Sequence, residues 1–221
     1  MAEQSELKEF FQEHGKKLIV VLVVILLGVV GIKQYFDASE AKENSENASL
    51  GKAMTFVYSG EDASALAEFE KIMPELSGIS LAKAALLAGN IQFRQGNFEK
   101  ALDLFDKSIA NAGSATLIEA AAMHGKASAL IEKKDYNNAI SALESFIRKF
   151  GNRTGNLKDR YSKEEPVDEA PNVYDAMWKL ALVYKEAGKT DLAKATAEKL
   201  LKIYSDKQEI ESKAKKFLET L

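Results

Sequence analysis

The chain has no cysteine and only two histidines, His14 and His124, among its 221 residues. Without thiols it can form no disulfide framework, Cys-ligated zinc site, iron–sulfur cluster or thiol nucleophile. Two histidines leave little material for a His-based metal site, so we expect no metal and no other cofactor. These absences exclude most catalytic metal chemistry.

A basic excess is also missing, because 30 Lys and Arg residues face 33 Asp and Glu residues, for a net charge of −3. Binding to a nucleic-acid backbone needs a concentrated basic face, so we expect no nucleic-acid partner. Neither a Gly-x-Gly-x-x-Gly motif nor a Walker loop occurs, which leaves nucleotide binding without support. The composition, 46% hydrophobic, is that of a folded protein.

Strand signals are scarce as well. The three prolines and most of the 13 glycines fall between segments in which apolar residues recur three, four and seven positions apart. This period is that of amphipathic helices, and no strand-like alternation interrupts it. The sequence therefore predicts an all-α protein.

One apolar run stands out near the start of the sequence. Residues 18–32 read LIVVLVVILLGVVGI and contain no polar side chain. A bilayer core of ~30 Å needs ~20 helical residues, a length reached if flanking lysines snorkel and Tyr35 and Phe36 lie at the interface. A cleaved signal peptide is the alternative, but the KQYFD that follows lacks a small-x-small cleavage site. We predict a transmembrane anchor over residues 18–36.

The lysines beside the run predict its orientation. Two lie immediately before it and one immediately after it, so the positive-inside rule favours a cytoplasmic N-terminus. Residues 1–17 would then form a short cytoplasmic tail, either an amphipathic helix or, more simply, an extension of the anchor. Residues 37–47 are interpreted as a helical or flexible stalk, and residues 48–221 as the exported domain.

That domain contains an internal repeat of alanines. A small residue lies twelve positions before each one, and a glycine usually lies five positions before. Such spacing predicts helical hairpins whose two helices approach closely where small residues face each other, and which must stack to bury their apolar faces. The reference alanines are Ala65, Ala101, Ala139 and Ala193, and their small partners are Ala53, Gly89, Ala127 and Ala181.

The segment GNFEKALDLFDKS, residues 96–108, resembles the second half of a tetratricopeptide repeat. The resemblance implies an α-solenoid, and the four reference alanines predict about four hairpins. The segment Ser205 to Leu221 opens with a Ser-x-x-Gln box and has one apolar face, which predicts a capping helix that closes the stack. The last two reference alanines are further apart than the others, so we place an insertion at about 151–172. Its acidic residues lack the spacing of a calcium loop, and it is either functional or, by default, disordered.

In stacked hairpins the first helices line a concave groove, and counting from the reference alanines assigns residues to it. The lining is mixed apolar and cationic, as expected of a protein-binding surface. The predicted groove residues are Met54, Val57, Tyr58, Lys83, Asn90, Phe93, Arg94, His124, Ser128, Trp178, Leu182 and Lys185.

Alternatives remain open for some of these residues. Only Asn90 stands where tetratricopeptide clamps for a terminal carboxylate place a ligand, so such a clamp is not expected. Trp178 is either an exposed peptide anchor or a residue packed under the insertion, with the two interpretations evenly weighted. His124 is interpreted as a groove residue rather than a catalytic base, since no Ser or Asp pattern accompanies it.

The start FFQEHGKK, residues 10–17, together with the anchor and the repeats, resembles the YfgM-like family of ancillary SecYEG translocon subunits. The resemblance implies a non-enzymatic scaffold in the bacterial inner membrane with a periplasmic interaction domain. The implied partners are translocon subunits, a membrane-anchored peptidyl-prolyl-isomerase-like chaperone and exported clients. A cell-envelope assembly or division adaptor with the same scaffold is the alternative, and an enzyme with an unrecognised site is a second one.

Overall fold

A computed structural model describes residues 2–151, 172–204 and 208–221, with side chains from residue 24 onward. The described secondary structure is helical, which confirms the predicted all-α class. The helices are α1 (Ala2–Tyr58), α2 (Asp62–Ile72), a 3-10 helix (Met73–Glu75), α3 (Gly78–Arg94), α4 (Phe98–Asn111), α5 (Thr116–Glu132), α6 (Tyr136–Phe150), α7 (Val173–Glu186), α8 (Thr190–Ile203) and α9 (Gln208–Leu218).

The chain divides into two compact units, Met1–Ser49 and Leu50–Leu221. The first unit consists of α1 residues, and the apolar side chains described in it, from Val24 to Ile32, are exposed. No helix in the part of the chain with described side chains is long and apolar enough to cross a membrane. The side chains of residues 18–23, with which the predicted anchor begins, and those of the predicted tail lie outside the described part.

The second unit is a stack of helical hairpins. The last turns of α1 pair with α2, and α3 with α4, α5 with α6, and α7 with α8 follow in order, while α9 packs against α8. This arrangement confirms the predicted tetratricopeptide-like stack. Helix α9 buries Ala214 and Phe217 against the last hairpin.

Small residues are buried on both helices of every hairpin, as the repeat predicts. Each of the four reference alanines is 0% exposed, and the small residue twelve positions before each one is buried too. Because neither residue extends beyond a Cβ atom, the two helices of a hairpin can approach closely. The spacing in the sequence therefore corresponds to buried positions on both helices of each hairpin.

The four hairpin turns share one backbone conformation. The residue five positions before each reference alanine is left-handed: φ is 74° at Gly60, 77° at Gly96, 60° at Lys134 and 72° at Gly188. In each turn two successive N–H groups donate to carbonyls of the preceding helix, the Schellman arrangement that ends helices. Lys134 thus adopts a conformation that normally favours glycine.

The predicted insertion follows the third hairpin. Helix α6 ends at Phe150 and α7 begins at Val173, although the two helices pack against each other. The segment that connects them is therefore longer than a hairpin turn. Residues 152–171 of the insertion lie outside the described part of the chain. The predicted capping helix starts at Gln208 in the structure, and Ser205, its predicted first residue, is also outside that part.

Candidate functional site

The four first helices, which are the end of α1 with α3, α5 and α7, place equivalent residues in equivalent contacts. Fifteen positions before the reference alanines lie Leu50, Leu86, His124 and Trp178. The two leucines pack in apolar clusters that contain residues of the next first helix. His124 bonds Asp175 of α7 and Trp178 packs on Phe217 of α9, so this position contacts the helix next but one in the chain.

His124 belongs to a polar network between α5 and α7. Its Nε2 lies 2.9 Å from Asp175 Oδ2, and Lys179 Nζ lies 3.0 Å from the same oxygen. Lys179 also donates to Ser128 Oγ over 3.1 Å. Because an ionised carboxylate only accepts hydrogen bonds, His124 Nε2 must carry a hydrogen to bond with Asp175. Lys179 Nζ lies 3.2 Å from that nitrogen and donates instead to the oxygens of Asp175 and Ser128.

The network keeps Asp175 ionised. The hydrogen bond from His124, followed by the bond and charge of Lys179, lowers the pKa of Asp175 to about 2 against the opposing effect of burial. Ser128 donates to the His124 carbonyl over 3.1 Å, so its hydroxyl is used within the protein. The side chains of His124, Ser128, Asp175 and Lys179 are therefore bonded to one another. Sequence reasoning missed Asp175 and Lys179, although their i, i+4 spacing on α7 was a signal.

Trp178 and Lys185 contact the C-terminal helix. The Trp178 ring meets Phe217 edge-on, with centroids 5.3 Å apart. Lys185 Nζ donates to the Thr220 carbonyl over 3.1 Å and to Thr220 Oγ1 over 2.9 Å. Trp178 also borders a cleft of about 250 Å³, lined by Tyr174, Asp175, Trp178, Glu209, Ile210 and Lys213.

The groove residues of the first two hairpins are more open. Tyr58 is 80% exposed, and Lys83 is exposed on the neighbouring helix. No residue in the described part of the chain forms a hydrogen bond or ion pair with the Lys83 ammonium or with the side-chain amide of Asn90. Asn90 itself is half-buried. Arg94 differs, because its Nη2 lies 2.8 Å from Asp62 Oδ1.

Apolar groove residues accompany these polar groups. Met54 and Val57 are half-buried at the edge of the apolar cluster formed by α1, α2 and α3. The Phe93 ring is also half-buried, and its centroid lies 5.6 Å from that of Phe98. Leu182, on α7 of the last hairpin, is 37% exposed.

A second cleft, of about 400 Å³, lies among α6, α7 and α8, away from the predicted groove residues. Glu144 is on its lining and accepts a hydrogen bond from Tyr184. Burial, then this carboxylate, raises the pKa of Tyr184 to about 12, so the phenol stays protonated. Within the described ranges, no group of three or more His, Asp or Glu side chains could hold a metal ion.

Comparison with known families identifies the architecture. Residues 8–180 match the tetratricopeptide repeat-like domain, and residues 175–207 match the tetratricopeptide repeat. The chain belongs to the tetratricopeptide repeat-like domain family. The tetratricopeptide scaffold is typically non-enzymatic and binds protein partners, so the chain is a repeat protein of the interaction-scaffold class.

Solved structures of low sequence identity share the fold. A MamA RS-1 ArsTM double mutant is 14% identical with a TM-score of 0.56, over 75% of this chain and 78% of that one. A tetratricopeptide repeat protein from Parabacteroides merdae is 17% identical with a TM-score of 0.58, over 76% and 56%. A MamA crystal structure is 20% identical with a TM-score of 0.52, over 72% and 73%. No curated protein matches the chain.

Proposed function

We propose that the chain is a membrane-anchored scaffold that holds partner proteins in the concave groove of its repeat domain. The observation that carries this proposal is the open surface of the first two hairpins. It combines the exposed Tyr58 ring with polar groups of Lys83 and Asn90 that no described residue bonds. Apolar surface with free donors is what an extended peptide needs for binding.

Exposed apolar residues of α1 support the anchor. Four consecutive residues, Val24 to Leu27, are 54–67% exposed and therefore point to all sides of the helix. A helix that is apolar all round is typical of a buried or membrane-spanning segment. Tyr35 and Phe36, 72% and 65% exposed, follow at the place where interfacial aromatic residues are expected. The anchor would extend over residues 18–36, with the N-terminus cytoplasmic and the repeat domain in the periplasm.

The proposed partners are SecYEG translocon subunits, a membrane-anchored periplasmic chaperone and exported clients. The FFQEHGKK start and the combination of anchor and repeats support them through the resemblance to the YfgM-like family. Anchoring would confine the groove to the membrane surface. A weak peptide contact would then be strengthened by the high effective concentration of a client at the same place.

Photocrosslinking at Tyr58 tests this proposal. A benzoylphenylalanine there keeps an aromatic ring at an exposed groove position, and the matched control is the same probe at Lys100, which is exposed on α4. We expect the Tyr58 probe to capture translocon subunits and exporting chains, and the Lys100 probe to capture neither. Halting protein synthesis should remove the exporting chains and leave the fixed partners.

The proposal would be abandoned if the Tyr58 probe captured only division or peptidoglycan proteins and if halting synthesis had no effect. In that case the cell-envelope adaptor would take its place. Trp178 is less suitable as a probe site, because its ring packs on Phe217 and a substitution would disturb the C-terminal helix.

A further inference from the structure

The two halves of the groove differ in how their polar groups are used. In α5 and α7, His124, Ser128, Asp175 and Lys179 bond one another, and Lys185 bonds Thr220, which follows α9. In α1 and α3, the donors of Lys83 and Asn90 have no such partners among the described residues. We call this open half the α1–α3 face, formed by Met54, Val57, Tyr58, Lys83, Asn90 and Phe93.

The face has matching positions on two neighbouring helices. Met54, Val57 and Tyr58 precede their reference alanine by the same distances as Asn90, Phe93 and Arg94 precede theirs. The helices share one apolar cluster, which includes Met54 and Val57. Lys83 lies seven positions before Asn90, about two helical turns, and so shares the same face of α3.

Charge distinguishes the two halves. Groove positions of α1 from Leu50 onward and of α3 carry two cations, Lys83 and Arg94, and no acid. Arg94 is neutralised by Asp62, so the Lys83 ammonium is the charge that the α1–α3 face offers to a ligand. The equivalent positions of α5 and α7 carry two acids, Glu132 and Glu186, and one cation, Lys185, while Asp175 is neutralised by Lys179. That half therefore offers an acidic ligand no excess of positive charge.

From these observations we propose that the α1–α3 face binds extended protein segments in which acidic side chains alternate with apolar ones. The carboxylate pairs with the Lys83 ammonium, the Asn90 amide bonds the peptide backbone, and apolar side chains pack on Tyr58, Met54 and Phe93. This inference rests on the proposed function, because it names the chemistry of the partner that the groove would hold. It also places the peptide site at the opposite end of the groove from Trp178.

Fluorescence anisotropy with the full chain in detergent tests the inference. The probes are labelled twelve-residue peptides with identical apolar residues and either two Glu, two Gln or two Lys, each made with an amidated or a free C-terminus. We expect affinity to fall from the Glu to the Gln to the Lys peptide in the amidated set. Lys83→Gln should reduce the advantage of the Glu peptide over the Gln peptide about twofold to fivefold, the range of an exposed ion pair.

Two further variants control the measurement. Lys100→Gln removes an exposed charge from α4 and should leave the Glu preference unchanged. Asn90→Ala should weaken all amidated peptides alike, because the amide bonds a backbone that they share. Raising the salt concentration should weaken the Glu peptide most, since its contact is ionic.

The inference would be overturned if the Lys peptide bound best or if no peptide bound at all. It would also be overturned if the Glu preference survived in Lys83→Gln, or if affinity depended only on the free C-terminal carboxylate. These results are separate from the crosslinking results. Translocon capture at Tyr58 without acidic preference would remove this inference alone. Acidic preference without translocon capture would remove the proposed function and leave the peptide chemistry in place.

Discussion

The Phe105 ring fills the space that a side chain at Gly125 would need. A Cβ atom on Gly125 would lie 2.7 Å from Cε1 and Cζ of Phe105, and one on Gly89 would lie 2.9 Å from Cε1. The ring, 0% exposed, therefore lies between glycines of two successive first helices. Carbon atoms at these distances overlap, so the second and third hairpins can pack this closely only without side chains at both positions.

Gly125→Ala should destabilise the repeat domain by about 1–3 kcal/mol, because the buried ring has to move to admit a methyl group. Gly51 holds the equivalent position in the first hairpin, with nothing within 4 Å of its Cβ direction. Gly51→Ala should therefore stabilise by about 0.5–1 kcal/mol through helix propensity. Denaturant unfolding followed by circular dichroism measures both, and equal shifts would contradict the packing described for Phe105.

Lys134→Gly should stabilise the third hairpin turn. A left-handed residue with a side chain costs about 1–2 kcal/mol, and glycine avoids this at an entropic cost of about 0.5–1 kcal/mol. We expect a net gain of about 0.5 kcal/mol in the free energy of unfolding. Lys133→Gly, one residue earlier at φ −74°, should destabilise instead. Losses of similar size in both variants would show that the turn does not require φ > 0 at residue 134.

Asp175 should contribute stability that depends on pH. Its folded-state pKa of about 2 lies below the ordinary value of 3.8, so the contribution is complete above pH 3.8 and disappears as the pH falls through 2. Because the side chain is 35% exposed, we discount for screening and expect about 1 kcal/mol. The difference in unfolding free energy between the natural chain and Asp175→Asn should be constant near pH 6 and shrink towards pH 2. A constant difference over this range would exclude the linkage.

The proposed orientation predicts the accessibility of a single thiol. The chain has no cysteine, so Ser59→Cys creates a unique reactive site at an exposed residue. A membrane-impermeant thiol reagent should label this variant in intact spheroplasts. Labelling only after lysis would place the repeat domain on the cytoplasmic side.

Much of the fold could be predicted from the sequence, because the repeat is defined by the spacing of residues that lie close together in the chain. Ala101 and Gly89 are only twelve positions apart in the sequence, and their burial follows from the helical period. Residue type alone does not predict the left-handed conformation of Lys134. Its position in the repeat imposed the left-handed turn on a residue that normally disfavours it.

The groove was harder to predict, because its side chains find partners in other hairpins. His124 bonds Asp175, which is 51 positions away and follows the insertion, so no local pattern links the two. Trp178 packs on Phe217, a contact that depends on where α9 docks. The assignment of these residues to first helices follows from spacing, but whether each is free for a ligand depends on tertiary contacts.

The order of helix contacts has a consequence for how the domain forms. The principal contacts join helices that are adjacent or next but one in the chain, from α2 with α3 to α8 with α9. Contacts of short sequence separation carry a small loop-closure entropy and favour rapid folding. Each hairpin can also form on the one before it, as in other nearest-neighbour arrays. The domain is thus suited to folding that nucleates at one hairpin and propagates to its neighbours.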